Sequence, residues 1–208
     1  MPNPSETDGE QRSARRTQAQ RRSEAERRVL DATMALIARK GSHAITLAQV
    51  GEAAGYSRGI VTHHFGSREK LLAAVMRDAQ RFPVPTYVGN ALEWLAALVR
   101  AYLTNIAGRT PAARAFLQMW GEAIAADPVL MPMFAEQDKA FRSLLADRIR
   151  VGIADESIRP DADPASGAVL MVALLRGIGM QMIATPAPPN VDAIIDEAVR
   201  STRNAFGA

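Results

Sequence analysis

The 208-residue sequence contains no cysteine and only three histidines. Without cysteine, disulfide bridges, zinc-finger sites and thiol catalysis are excluded. His63 and His64 are adjacent, and neighbouring helical side chains point about 100° apart, so they cannot face one metal ion as an i, i+4 pair would. Gly-rich phosphate loops, nucleophile elbows and zinc-protease motifs are also missing. We therefore predict that the protein is not an enzyme and has no metal or cofactor.

The sequence also has little net charge, +3 in total, so the distribution of charge matters more than its sum. Residues 1–22 contain almost nothing that could be buried and lack the apolar segment of a secretory signal, which predicts a flexible arm. The arm is either a solvated tail or a set of cations for DNA phosphates or the minor groove. Its last arginines occur with no acidic residue between them: Arg12, Arg15, Arg16, Arg21 and Arg22.

The most informative stretch is residues 46–65. Thr46 and Gln49 are spaced as a capping box that opens a short apolar helix, and Gly55 ends this helix because glycine readily adopts a positive φ. Ser57 is then placed to cap a second short helix. Helix, tight turn and helix form the helix-turn-helix, whose second helix lies in the DNA major groove.

Short or hydrogen-bonding side chains occupy the start of the second helix, whereas Ile60, Val61 and Phe65 are expected to pack against the preceding helices. One face would then read DNA while the other packs. Two short helices joined by a glycine also occur in proteins that do not bind DNA, so the flanking residues decide between the two interpretations.

Residues 53–71, preceded by Gly41 and Thr46, resemble the N-terminal DNA-binding domain of the TetR family of bacterial transcriptional regulators. The resemblance extends over roughly residues 29–75. Thr62 stands where the family commonly has tyrosine, and Arg68 where it often has lysine, which keeps a hydroxyl and a cation but can change base preference. The resemblance implies DNA contacts at these positions: Thr46, Ser57, Arg58, Gly59, Thr62, His63, His64, Ser67 and Arg68.

The remaining sequence predicts further helices and no strands, so we expect an all-α fold of about nine helices. The capping box from Ser23 to Glu26 predicts the start of helix 1, and residues 23–66 would form the helix-turn-helix domain. A fourth helix, residues 67–82, would connect it to a second domain, residues 83–208. Capping residues predict helix starts after Asn90, Thr110, Asp127 and Asp163. The domain is predicted to contain helices over residues 91–107, 112–126, 129–153, 165–184 and 191–206.

Residues 167–183 are almost wholly apolar and close to membrane-spanning length. Arg176 near the middle argues against a membrane span, and a helix buried against both its own core and a partner subunit explains the composition better. The family resemblance implies that the last two helices form a four-helix bundle with their counterparts in a homodimer. We expect Arg176, Met180, Ile194 and Val199 at this interface, with Arg176 paired across it to Asp196 or Glu197.

The central helices are rich in aromatic and methionine side chains, which either fill a helical core or surround an apolar ligand. The resemblance favours an effector pocket, and the small number of charges on the apolar faces predicts a lipophilic or weakly polar effector. The candidate pocket residues are Trp94, Tyr102, Phe116, Met119, Trp120, Phe134 and Met171.

Together, the resemblance implies a cytoplasmic, nucleoid-associated bacterial regulator that binds a palindromic operator as a dimer. We expect a repressor that a small-molecule effector releases from double-stranded DNA, with no membrane partner. An effector-independent regulator and a transcriptional activator are the alternatives, and a helical small-molecule carrier is a more remote one.

Overall fold

The computed structural model describes residues 18–80, 86, 89–185 and 190–208. Within these ranges the chain is helical and forms no strand, which confirms the all-α prediction. One isolated antiparallel bridge joins Ile158 to Gly207. The helices are α1 (Gln18–Lys40), α2 (Leu47–Ala54), α3 (Arg58–Phe65), α4 (Arg68–Ala79), α5 (Ala91–Ala107), α6 (Pro111–Ile124), α7 (Leu130–Ala154), α8 (Pro164–Ala184) and α9 (Val191–Phe206).

Most helices begin where a capping side chain predicts. Asn90 accepts from the N–H of Glu93 at the start of α5, and Asp163 accepts from that of Ser166 at the start of α8. Thr110 caps α6, with proline in its first turn. At the start of α7, the Asp127 carboxylate accepts hydrogen bonds from the N–H of Val129 over 2.8 Å and from the N–H of Leu130 over 2.7 Å. These caps satisfy N–H groups that have no partner inside their helices.

The predicted start of α1 at Ser23 is wrong, because the helix already includes Gln18. The run from Gln18 to Arg22 consists of good helix formers, so the helix continues through the serine instead of starting there. Residues 18–22 of the predicted arm are therefore helical, and Arg22 donates to Glu26 over 3.0 Å. The rest of the arm, residues 1–17, lies outside the described residues.

The N-terminal four helices pack around side chains from each of them, including Val29, Ile37, Val50, Val61 and Leu72, all of them fully buried. α1 packs against α6, and α4 also packs against α6. The first four helices therefore rest directly on the larger helical region. The predicted end of the fourth helix at residue 82 falls outside the described part of the chain, and α4 ends at Ala79.

α8 is long and apolar enough to cross a membrane by length and composition alone, with a mean hydropathy of 1.7 over its most apolar window. The core helix of a globular protein meets the same criteria. α8 packs against α7 and α5, and Arg176 in its middle is buried. These contacts agree with the interpretation of α8 as a packed helix.

Candidate functional site

The helix-turn-helix forms through local hydrogen bonds. Thr46 accepts from the N–H of Gln49, and the Gln49 side chain accepts from that of Thr46 over 3.0 Å, which completes the predicted capping box. Gly55 ends α2 with φ of 77°, in the left-handed region. Ser57 accepts from the N–H of Ile60 at the start of α3. The angle between α2 and α3 is therefore set within a few residues.

A second glycine, Gly51, allows α2 and the start of α3 to approach each other closely. A Cβ built on Gly51 would lie 2.7 Å from the carbonyl oxygen of Tyr56 and 3.0 Å from the carbonyl carbon of Ser57. Both contacts are with backbone, which cannot move aside as a flexible side chain can. This role of Gly51 was not predicted from the sequence, although a glycine inside a predicted helix is a signal of close backbone approach.

The start of α3 presents an exposed polar surface. Ser57, Arg58, Gly59, Thr62 and His63 are exposed. The Thr62 hydroxyl donates to the carbonyl of Arg58 over 3.0 Å, so it lies against its own helix. These are five of the nine predicted DNA contacts, and they form one surface. Thr46 and Ser67, two further predicted contacts, occupy N-cap positions of α2 and α4.

Two other side chains of α3 lie differently from the prediction. Ile60 was expected to pack inward, but it is 40% exposed, and Val61 is the fully buried residue of this helix. His64 was expected to face DNA, but its side chain is mostly buried and Nδ1 lies 3.4 Å from the Glu26 carboxylate on α1. Since adjacent positions point in different directions, His63 can remain exposed while His64 packs.

Arg68 makes contacts inside the protein rather than projecting freely outward. Its guanidinium donates to the carbonyl of Ser42 over 2.6 Å and to that of Ile45 over 3.3 Å. These bonds fasten the start of α4 to the loop between α1 and α2. The prediction of Arg68 as a DNA contact did not include this structural role.

The same loop is attached to α6 by the Glu122 carboxylate. The N–H of Ser42 donates to Glu122 Oε1 over 2.9 Å, and the Ser42 hydroxyl donates to Oε2. His43 adds Nδ1 at 3.4 Å from the Asp127 carboxylate. Burial tends to raise the pKa of Asp127, but the N–H groups of Leu130 and Val129, with positive charge nearby, hold that pKa below its usual value. We call Ser42, His43, Glu122 and Asp127 the loop clamp.

A cavity of about 180 Å³ lies among the helices of the larger region. Its wall combines the C-terminal end of α4 with α5, α6, α7 and α8, so it directly adjoins the helix that leaves the helix-turn-helix. The lining residues are Ala79, Gln80, Tyr102, Asn105, Ile106, Phe116, Phe141, Leu144, Leu175 and Arg176.

Of the predicted pocket residues, Tyr102 and Phe116 line this cavity. Trp120 is not among the lining residues, and the centre of its ring lies 4.8 Å from the Arg176 guanidinium carbon. The others do not line it but are buried in the core, as the alternative interpretation of these side chains proposed: Trp94, Met119, Phe134 and Met171. Aromatic and methionine content alone did not distinguish wall from core.

Arg176 belongs to the cavity and not to an exposed subunit interface. It is 6% exposed and makes two hydrogen bonds to Asp138 on α7, one of them over 3.0 Å. The prediction that Arg176 pairs with Asp196 or Glu197 across a subunit interface does not fit this burial, and within the chain Asp196 pairs with Arg100 and Glu197 with Arg200. Arg176 therefore brings one charge into a wall that is otherwise apolar or neutral.

Burial raises the pKa of Tyr102 in the cavity wall to about 12, an effect that the Asp138 charge adds to and the Arg176 charge opposes. The phenol therefore stays neutral at physiological pH.

The other predicted interface residues divide into two groups. Met180 is 45% exposed and Ile194 is partly exposed, whereas Val199 is buried within its own chain. Two adjacent, mainly apolar pockets between α8 and α9 share Leu174 and Ser201 and together form a groove. Its lining includes Leu170, Leu174, Ile178, Ala193, Ile194, Ser201 and Ala205, with Asn190 and Glu197 as polar members.

Two protein-family models match the sequence. The model of the bacterial regulatory proteins of the tetR family matches residues 29–75, which include the helix-turn-helix. The C-terminal model of BetI-type transcriptional repressors matches residues 91–204, from the start of α5 into α9. The second match covers more than half of the chain and includes α5, α6, α7 and α8 of the cavity wall.

A curated regulator is also similar to this chain in sequence. The HTH-type transcriptional regulator BetI of Escherichia coli K12 is 31% identical over 108 residues, which are 47% of this chain and 54% of BetI. The chain thus spans about half the length of the curated relatives that it matches.

Among solved structures, a TetR-family regulator from Rhodococcus sp. has a TM-score of 0.75 at 22% identity, covering 89% of this chain and all of that one. AibR, solved with isovaleryl coenzyme A and operator DNA, has a TM-score of 0.62 at 19% identity, covering 85% and 97%.

The similarity to solved structures shows that the chain shares their fold. The two family models show which family it belongs to. Members of this family are transcriptional regulators and not enzymes, in agreement with the sequence prediction. The chain belongs to the TetR family of bacterial transcriptional regulators.

Proposed function

We propose that the protein binds duplex DNA through the exposed start of α3, which enters the major groove. The observation that carries this proposal is the exposed surface of Ser57, Arg58, Gly59, Thr62 and His63 on a helix whose opposite side is fixed by buried Val61. Arg58 is the side chain on this surface best suited to base readout, because a guanidinium can donate two hydrogen bonds to guanine.

Phosphate contacts are proposed at the helix N-termini that flank α3. Thr46 and Ser67 cap α2 and α4, where unpaired N–H groups and the helix dipole favour an anion. Arg68 supports this surface from behind through the loop carbonyls of Ser42 and Ile45. His64, packed against Glu26, keeps α3 attached to α1 rather than contacting DNA.

We further propose that the functional unit is a homodimer joined through the α8–α9 groove. Leu170 is 52% exposed and lies beside partly exposed Leu174 and Ile178. An apolar groove on two long helices is suited to the corresponding helices of a second copy. Two recognition helices related by a two-fold axis would read a palindromic operator with half-sites about 34–36 Å apart or a multiple of that spacing.

The cavity is proposed to bind an effector that releases the DNA. AibR, a structural neighbour, was solved with both a small-molecule ligand and operator DNA. In this chain Ala79 and Gln80 bring α4 into the cavity wall, and Phe116 brings in α6, which also carries Glu122 of the loop clamp. A ligand that shifts either helix would change the separation of the two recognition helices.

The proposed location of the protein is the bacterial cytoplasm, at the nucleoid.

The proposal is tested by mobility shift on sites selected from random DNA. We expect a palindromic site bound at low salt, with Arg58→Ala weakening that site more than random duplex. Arg77→Ala, a change of the same type on α4 away from the exposed start of α3, is the matched control. An effector-independent regulator would bind DNA regardless of any ligand, a carrier would bind ligand and no DNA, and reporter transcription separates a repressor from an activator.

A further inference from the structure

The chemical character of the cavity is set by one ion pair. Of the described residues that line the cavity, Arg176 alone carries a charge. The other polar residues of the lining are neutral: Gln80, Tyr102 and Asn105. Asp138 accepts two hydrogen bonds from the Arg176 guanidinium and cancels its charge. The wall is therefore electrically neutral overall, although it contains a cation.

An anionic ligand does not suit this arrangement. To reach the guanidinium, a ligand carboxylate would have to lie beside the Asp138 carboxylate or displace it. Asp138 is itself largely buried, at 18% side-chain exposure, so the displaced carboxylate would lose its partner in a region of low dielectric. Leaving a buried charge unpaired is unfavourable.

A cationic ligand does not suit it either. Positive groups in apolar cavities are commonly held against aromatic faces. Here the Arg176 guanidinium already occupies that position, 4.8 Å from the centre of the Trp120 ring and 5.7 Å from that of Phe116. These ring faces are therefore already occupied and are not available to a ligand cation.

The cavity does suit an uncharged acceptor. A guanidinium has more N–H donors than its two hydrogen bonds to Asp138 use, so it can donate to a carbonyl oxygen without losing its partner. The rest of the wall offers apolar contact from Ile106, Leu175 and Phe141. A volume of about 180 Å³ is modest, since a cavity of about 150 Å³ holds benzene.

We propose that the effector of this protein is a small, uncharged, mainly apolar molecule with a carbonyl-type acceptor, which Arg176 recognises while it remains paired to Asp138. This inference specifies the ligand class of the cavity and rests on the proposed effector function. It replaces the broader expectation of a lipophilic ligand with a polar contact at a named residue.

The test uses four probes of nearly equal size: acetophenone, ethylbenzene, benzoate and benzylammonium. Binding to the full-length protein is measured at pH 7.5 by calorimetry and by thermal shift. We expect acetophenone to bind about fivefold to tenfold more tightly than ethylbenzene, the difference that one hydrogen bond supplies. Benzoate and benzylammonium should bind at least tenfold more weakly than acetophenone. Stronger binding of either ion, or binding of no probe, would overturn the proposal.

Variants connect the preference to these residues. Asp138→Asn leaves the cation without its counter-charge, so benzoate affinity should rise at least tenfold while acetophenone affinity changes less. Leu144→Trp, at the exposed edge of the cavity, should weaken all binding, whereas Met131→Trp, exposed on the same helix but not in the wall, should not. Equal effects of the two tryptophans would overturn the assignment to this cavity.

These titrations use the protein without DNA, so their outcome does not depend on operator binding. Failure of DNA binding would count against the proposed function and leave the measured ligand preference intact. Failure of the ligand preference would leave the DNA-binding proposal intact.

Discussion

Glu122 on α6 holds both the backbone N–H and the hydroxyl of Ser42, which lies 80 residues earlier in the loop between α1 and α2. Arg68 holds the carbonyl of the same serine over 2.6 Å. The loop is thus bonded on one side to α4 and on the other to α6. Both of these helices also contribute to the wall of the cavity, so the loop clamp links the cavity to the helix-turn-helix.

Glu122→Ala should destabilise the protein by about 1–3 kcal/mol, because the buried N–H of Ser42 would lose its acceptor. Urea unfolding of the variant and the parent measures the difference. Glu136→Ala, an exposed carboxylate on α7, is the matched control and should change the free energy of unfolding by less than about 0.5 kcal/mol. Equal unfolding midpoints for the two variants would count against the loop clamp.

Gly51→Ala should lower the free energy of unfolding by about 2–3 kcal/mol, the upper part of the usual range for single substitutions. The added methyl group would meet the backbone of residues 56–58, so α2 and α3 would have to move apart. Gly121→Ala adds the same group where nothing lies within 4 Å, and it should be neutral or stabilising. Thermal unfolding followed by circular dichroism distinguishes the two, and a neutral Gly51→Ala would refute the close approach.

The acid stability of the protein should depend on Asp127. Its pKa is lowered from 3.8 in the folded state, so its contribution is complete above 3.8 and is lost as the pH falls through the lower folded value. The stability difference between parent and Asp127→Asn should therefore be largest near neutrality and shrink in acid. Unfolding measured from pH 3 to 7 tests this, with Asp147→Asn as the control for losing an exposed carboxylate. A stability difference that grows in acid would contradict a lowered pKa of Asp127 in the folded state.

The α8–α9 groove gives a prediction about assembly. Leu170→Asp places a charge in the groove and should raise the dimer dissociation constant at least tenfold, or about 1.4 kcal/mol. Ile124→Asp, at a position even more exposed but outside the groove, should leave the constant unchanged. Analytical ultracentrifugation over a concentration series measures both. A parent protein that remains monomeric at micromolar concentration would exclude the proposed dimer.

The features that the sequence predicts correctly are mostly local. The caps at Thr46, Ser57, Asn90 and Asp163 each depend on a hydrogen bond to a residue three positions later, so residue type and spacing are sufficient. The positive φ of Gly55 is likewise a property of a short turn. The start of α1 is the local exception, because the helix formers before Ser23 outweigh its tendency to cap.

The features that the sequence did not predict depend on distant residues. Arg176 and its partner Asp138 are 38 positions apart and lie on different helices. The same is true of His64 and Glu26. Periodicity identifies which face of a helix is apolar, but it cannot show whether that face borders a cavity or solid core. For the same reason Phe116 and Phe134 looked equivalent in sequence, yet Phe116 lines the cavity and Phe134 is packed in the core.

The central claim is that the exposed start of α3 reads a palindromic duplex. The most direct measurement is the affinity of the parent and of Arg58→Ala for a site selected from random DNA, at one fixed salt concentration. We predict a palindromic selected site, and a loss of about 1–3 kcal/mol for Arg58→Ala on that site but not on random duplex. Failure of the parent to bind any duplex at low ionic strength, or an equal loss on every sequence, would contradict the account.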